Sequence, residues 1–250
     1  MIYIYGETLS EAYHKALLAL QKHGAIVYSP DWKTNRKELS LVMEVGEATR
    51  EPMISKCFIG GPRELQQYKM EVCDGILDFM IGKGESMWKY TYHQRIANQL
   101  DFVIDELRRN PASTRAVIDI RDNKIDMQSD HPACLQHMQF TIRDEKLNLT
   151  TLMRSNDAPE ATFMNAFAFI CLQDNVAEKL HIKTGSYTHI ANSFHAYQKD
   201  WELLDNYCNR INNSNDTYYH YKLDWEPIMQ SYAYGIMEST VKPLKEVYDK

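Results

Sequence analysis

The sequence predicts an α/β fold of the α+β kind, in a single domain over residues 1–250. Three observations carry this. Short alternating apolar runs that read as strands are interspersed with longer segments whose apolar residues recur at helical spacing. The 250 residues suffice to bury one full core. The 44% apolar and 25% charged content is ordinary for a globular protein, and no repeat or low-complexity tract breaks the pattern.

Each element has a local reason. Residues 2–5 open as a strand, and Ser10 is placed to cap a helix to His23, with Ala12, Ala16, Leu17 and Leu20 on one face and Gly24 as its stop. Residues 26–28 read as a strand, 31–37 as a polar loop carrying Lys33, Arg36 and Lys37, and 39–45 as a further strand. Residues 62–79 read as one helix with Pro62 in its first turn. In the helix 97–109, Leu100, Val103, Ile104 and Leu107 form a core face, and Asn110-Pro111 ends it. A buried strand over 116–120 follows. Residues 135–142 and 146–153 alternate and are joined by Arg143-Asp144-Glu145, a β-hairpin signal. Residues 163–180 form an apolar helix, 185–190 a strand running on to 192–197, 201–211 a helix, and 212–216 a flexible polar loop.

Composition narrows the function. A net charge of −6 and a pI near 5.9 disfavour a surface that tracks nucleic-acid phosphates. No apolar run approaches the roughly 20 residues of a membrane helix, and the opening MIYIYGETLS lacks the charged start of a signal peptide. Cysteines 57, 73, 134, 171 and 208 are odd in number, widely spaced and without a CxxC. They point to a reducing cytoplasm, with no disulfide framework and no metal site.

The chemistry concentrates in residues 130–165. Cys134 follows the turn-forming Asp130-His131-Pro132-Ala133, the second hairpin strand delivers Arg154-Ser155-Asn156-Asp157, and Asn165 stands eleven residues beyond Arg154 at a helix start. A thiol, a guanidinium, a hydroxyl, a carboxylate and an amide thus meet on adjacent strand ends. They suit a small anionic, hydrogen-bonding substrate attacked by sulfur. The spelling Pro132-x-Cys134, Gln139-Phe140, Arg154-Ser155-x-Asp157 and Phe163-x-Asn165 resembles the core of the thymidylate synthase family. Arg63-Glu64-Leu65, Arg115 and His195-x-Tyr197 extend the resemblance in order along the chain.

The resemblance implies a large mixed sheet flanked by helices and a homodimer through the sheet face. It implies Cys134 as nucleophile and a pyrimidine nucleotide and 5,10-methylenetetrahydrofolate as ligands. Glu64 and Tyr92 would manage protons on the base, although a first-turn glutamate such as Glu64 also simply favours its helix dipole. His93 stands beside Tyr92 where glycine is usual. Arg36, with Lys33 as a second candidate, would meet the phosphate, unless residues 31–37 are only a solvated turn. Arg115 would reach the partner subunit's phosphate; Thr114 replaces a second arginine usual there. Gln139 and Ser155 join the substrate-binding set. His195 and Tyr197 would hold the sugar hydroxyl, with Ser193 where the family has Asp.

The reaction explains the residue types. Pyrimidine C5 becomes nucleophilic only after a thiolate adds at C6, and a nearby cation such as Arg154 promotes the thiolate. Arg154 could also bind phosphate, and Asp157 could orient the base or an ordered water. The family places Asn in uridylate enzymes, and Asp in deoxycytidylate hydroxymethylases, where Asn165 stands. An amide offers both donor and acceptor to uracil, though Asn165 can also be read as a helix cap. Methylation of dUMP leads. Hydroxymethylation of dUMP or dCMP follows, favoured by Ser193 and by an ending, KPLKEVYDK, without the family's small apolar C-terminus. A non-catalytic nucleotide- or RNA-binding relative comes third, because binding has no need of the thiol. Ala161 replaces a usual glycine, Leu135 a usual histidine, and the folate-side segment between Glu64 and Tyr92 is short. Cys57, Cys73, Cys171 and Cys208 read as small buried side chains. His131, His137, His181 and His189 read as structural.

Overall fold

The structure, a computed structural model, describes residues 1–83 and 88–248. Asp249 and Lys250, the last of the KPLKEVYDK ending, lie outside the described residues.

The chain opens with β1 (Ile2–Gly6), α1 (Leu9–His23), β2 (Ala25–Ser29), β3 (Thr34–Val45) and β4 (Ile54–Ser55), followed by α2 (Pro62–Cys73). Next come α3 (Tyr92–Arg109), β5 (Val117–Asp119), the single turn α4 (Asn123–Asp126), β6 (Leu135–Arg143), β7 (Lys146–Met153) and β8 (Asn156–Asp157). A wide π-type turn, Ala158–Thr162, leads into α5 (Phe163–Leu180), β9 (Lys183–Tyr197) and α6 (Trp201–Asn213). β10 (Tyr218–Tyr219), α7 (Glu226–Ile236) and α8 (Lys242–Tyr248) complete it.

One mixed sheet runs β1-β3-β9-β7-β6-β5. β1 lies parallel to the second half of β3 and β2 antiparallel to its first half. On the far side of β9, β7 pairs in parallel along its first part and β8 along its last, Asp157 opposite His195. The side chains facing the helices are buried: Leu41, Met43 and Val45 on β3, Tyr187, His189 and Ala191 on β9, Leu149, Thr151 and Met153 on β7. α1, α3 and α5 cover that face. Its polar members satisfy one another in a chain: Thr151 Oγ1 lies 3.0 Å from Tyr187 Oη, which lies 2.8 Å from His189 Nδ1. His189 Nε2 is 2.8 Å from Asn156 Oδ1, which also accepts from Thr162 at 2.7 Å. Asn156 Oδ1 can only accept, so Nε2 carries the proton and Nδ1 accepts from Tyr187. Burial holds His189 neutral, its pKa lowered to about 4.

Among the described residues, the opposite face carries no helix. Register rows across it read Tyr3, Val42, Ile190, Leu152 and, next, Tyr5, Glu44, Thr188, Thr150, Gln139.

Several boundaries differ from expectation, each for a local reason. Thr8, not Ser10, caps α1 by accepting from the Glu11 N–H, and Ser10 donates to Pro52 O instead. Arg36 and Lys37 belong to β3 rather than a loop, because the chain reverses within residues 30–33 and Lys33 takes a positive φ of 50°. The helix expected over 62–79 ends at Cys73, where Gly75 turns left-handed at φ +64°. A Cβ on Gly75 would lie 2.1 Å from His93 Nδ1, so this glycine makes room for the histidine. α3 starts at Tyr92, five residues earlier than expected, because Thr91 caps it through the Gln94 N–H. The hairpin turn is Asp144-Glu145 alone, both at positive φ, with Arg143 and Lys146 as the last pair. Asn212 and Asn213 continue α6.

Candidate active site

A cavity of about 720 Å³ opens where the ends of β2, β3, β8 and β9 meet the start of α5 and the segment before β6. From the sequence-derived set it gathers Cys134, Arg154, Ser155, Asp157 and Asn165, and from other parts of the chain Arg36, Tyr92, His195 and Tyr197. Register explains the gathering. β8 sets Asp157 beside His195, and β3 sets Arg36 opposite Tyr197, so three strand ends converge.

Cys134 is half-buried at the entry to β6. Burial pushes its thiol up, and the charge of Arg154 opposes that shift. The Arg154 backbone N–H donates to Cys134 O at 2.8 Å. Its guanidinium donates to Ala133 O at 3.0 Å and to Pro132 O at 2.8 Å. Arginine therefore orders the turn that presents the thiol while keeping further donors for an anion. Tyr92 Oη accepts from the Leu135 N–H at 3.2 Å. Burial holds this phenol well above the ordinary tyrosine range, so its proton stays in place.

Asp157 Oδ1 accepts from the Glu160 N–H at 3.2 Å, and burial raises its carboxyl to about 7. Asp157, Glu160 and Asp200 bring carboxylate oxygens within 4.8 Å of one another, and Lys199 lies 2.7 Å from Glu160 and 3.4 Å from Asp200 as counter-charge. His195 is 2% exposed, and Nδ1 faces Ser193 O at 3.1 Å. That carbonyl requires the proton on Nδ1, which leaves Nε2 as an acceptor. The Tyr197 ring meets His195 edge-on at 4.8 Å.

Three expected residues stand elsewhere. Glu64 is exposed, its carboxylate accepting from the Gly61 N–H at 3.0 Å as a cap for α2. Gln139 lies on the helix-free face and donates to Thr114 O at 3.0 Å. Arg115 is exposed beside it at the edge strand. What sequence reasoning passed over is the aromatic and acidic rim: Tyr68, Tyr90, Trp32, Asp130, and His131, whose ring centre is 5.9 Å from that of Trp32. Tyr68 sits one turn beyond Glu64 on α2, where a tyrosine in an amphipathic helix reads first as core.

A second cavity of about 520 Å³ shares Tyr68, Tyr90, Tyr92 and residues 129–131 with the first, and adds Glu71, Leu77 and Trp88. Its aromatic walls fit a flat heteroaromatic ring. Burial raises the Glu71 carboxyl.

These features set a thiol, guanidinium groups, a carboxyl, an amide and an imidazole in one cavity, with an aromatic-walled chamber beside it. The thymidylate synthase family profile matches residues 26–233, and the chain belongs to that family of transferases in nucleotide biosynthesis. A protein of Methanosarcina mazei named "Putative thymidylate synthase" is 30% identical over 217 residues, 84% of this chain and 95% of the relative. A protein of the same name from Methanosarcina barkeri is 28% identical over 212 residues, 82% and 94% of the two chains. The protein of Clostridium beijerinckii named "Thymidylate synthase" is 26% identical over 157 residues, 62% of this chain and 57% of the relative. Among the described residues no helix is long and apolar enough to cross a membrane.

Proposed function

We propose that the protein transfers a one-carbon unit from 5,10-methylenetetrahydrofolate to C5 of a pyrimidine nucleotide, and that the reaction is the methylation of dUMP. The observation that carries this is the convergence of Cys134, Arg154, Asp157, Asn165 and His195 on one cavity from four separate segments.

Cys134 Sγ attacks C6 of the base once Arg154 and the arriving phosphate have ordered its loop. Arg36, Arg154 and Ser155 hold the phosphate at the polar end, with charge-assisted hydrogen bonds supplying most of the grip. His195 Nε2 accepts from the sugar hydroxyl. Asn165 faces the base, Asp157 orients it or a water beside it, and the Tyr92 hydroxyl, keeping its own proton, stands by the thiol to hold the water that takes the C5 proton. The second cavity suits the folate: Trp88 and Tyr90 would flank its ring, and Tyr68 and Tyr92 would bound the junction where the two ligands meet. Bound there, it would supply the carbon and, for methylation, a hydride.

We further propose a homodimer through the helix-free sheet face. Its register rows mix apolar with small polar side chains, and Arg115 is exposed at that edge, outside its own chain's cavity. A second copy would bring Arg115 to the phosphate of the neighbouring site. Glu64 then belongs to α2 capping, unless assembly brings it a ligand.

Hydroxymethylation stays as a second reading because Ser193 Oγ, 3.3 Å from His195 Nδ1, stands where the family has a carboxylate. One experiment separates the two. Product mass is read after incubation with methylenetetrahydrofolate and either dUMP or dCMP. A gain of about 14 Da on dUMP, with dihydrofolate formed, is expected for methylation by the C6-adduct route. A gain of about 30 Da without dihydrofolate would establish hydroxymethylation by the same adduct, and no product from either nucleotide would overturn both readings.

A further inference from the structure

The amide of Asn165 is less free than its position suggests. Nδ2 donates to Ala161 O at 3.0 Å and to Tyr68 Oη at 3.1 Å. A carbonyl 3.0 Å away fixes which end of the amide is nitrogen, since an oxygen could not donate to it. Both hydrogens of the NH₂ group are then committed, and Oδ1 is the side chain's remaining polar atom. Asn165 by itself can therefore accept from a base but cannot also donate to it. The two-point reading of uracil expected of this amide is incomplete.

Tyr68 supplies what is missing. Its hydroxyl accepts from Asn165, so its own proton is available to a third group, and the side chain lines both cavities at their junction. Burial holds the phenol far above the ordinary tyrosine range, which keeps that proton in place at any working pH. Donor and acceptor are thus neighbours, linked by one hydrogen bond and pointed at the same space. Uracil presents the complementary pair, N3–H as donor beside O4 as acceptor.

We propose that Tyr68 is the second base-reading residue, donating to O4 of a uracil nucleotide while Asn165 Oδ1 accepts from N3–H. This rests on the C6-adduct reading above. It also gives Tyr68 a part in the reaction. When the Sγ–C6 bond forms, the C5=C6 electron pair moves through C4 onto O4, so a donor already aimed at O4 gains strength as charge develops there. C5 then takes a proton from solvent. Loss of the original C5 hydrogen and expulsion of the thiolate restore the base, so the bond-making half-reaction can be followed with dUMP alone.

The test is deuterium incorporation at C5 of dUMP in D₂O, measured by mass spectrometry for the wild-type protein and for Tyr68→Phe, with dUMP affinity measured by calorimetry. Tyr68→Phe keeps the ring, and its thermal unfolding is recorded as a check on folding. Exchange is expected to slow by about 100-fold, the effect of deleting one oxyanion donor. Affinity should fall by no more than about tenfold, the size of one ordinary hydrogen bond. Wild-type exchange in a folded Tyr68→Phe would overturn the role of Tyr68 alone. Wild-type protein that binds no dUMP and exchanges nothing would overturn the adduct reading and this inference with it. An equal loss in affinity and exchange would also count against it, since it would mark uniform binding with no strengthening at O4.

Discussion

At the scale of single residues, environment decides what each side chain can do. Asp157 is the clearest case, because burial lifts its carboxyl to about 7 whereas an unfolded chain would hold it near ~4. The folded state then binds the proton more tightly. Its contribution to stability is full below about pH 4 and is lost as pH rises through about 7. The variant Asp157→Asn lacks that loss, so its melting temperature relative to wild type is expected to climb from pH 5 to pH 8. A constant difference across that range, by calorimetry, would show that Asp157 is not the titrating group. That Cys134, Arg154, Asp157, Asn165, His195 and Tyr197 share one cavity was legible because each belongs to a spelling with fixed spacing. Tyr68 was not, since a tyrosine inside an amphipathic helix reads first as core. Glu64 had two uses open to it in the sequence, and the local one, capping Gly61, is the one its carboxylate makes in this chain.

Elements fix where those residues point. The segment carrying Cys134 is anchored by a buried fork: Arg95 on α3 donates to both carboxylate oxygens of Asp126 at 2.8 and 3.0 Å and to Ile120 O at 2.7 Å. Tyr90 stacks over the guanidinium at 4.3 Å. The Asp126 side chain is 1% exposed. Removing one partner of such a pair strands the other charge, so Asp126→Ala is expected to cost about 3–5 kcal/mol in urea unfolding. The double variant Arg95→Met/Asp126→Leu should recover much of that loss. Neither half of this fork was legible, for the residues are 31 apart and neither lies in a motif. The hairpin of β6 and β7 and the helix α5 were legible nearly to the residue, through alternation and through a long apolar run. The expected 62–79 helix overran because Asp74-Gly75 resembles a tolerable helix interior until His93 is known to occupy the space beside it.

At the scale of the whole molecule, a large mixed sheet flanked by helices was expected from the family resemblance, while the covering of one face and the strand order came only with the structure. Residues 217–248 carry little periodic signal, and the short α7 and α8 they form were not anticipated. The proposed sharing of sites between subunits has a direct test. Arg115→Glu and Cys134→Ser should each be inactive alone. Mixed in equal amounts after reversible unfolding, they should return about a quarter of wild-type activity, since half of the dimers formed at random would hold one intact site. No recovery, with dimers present by light scattering, would remove Arg115 from the partner's site.

The strand β9 runs through the middle of the sheet and ends at His195 and Tyr197, hydrogen-bonded by β3 on one side and by β7 and β8 on the other. One wall of the cavity is therefore backbone paired on both sides within the sheet. Other lining residues, within 30–33 and 129–134, belong to neither strand nor long helix. The rigidity of 129–134 depends on side-chain anchors rather than on a strand ladder, Arg154 holding Pro132 O and Ala133 O. The sugar end of the cavity is thus walled by backbone pairing, whereas the thiol is presented by a turn that Arg154 pins through three hydrogen bonds.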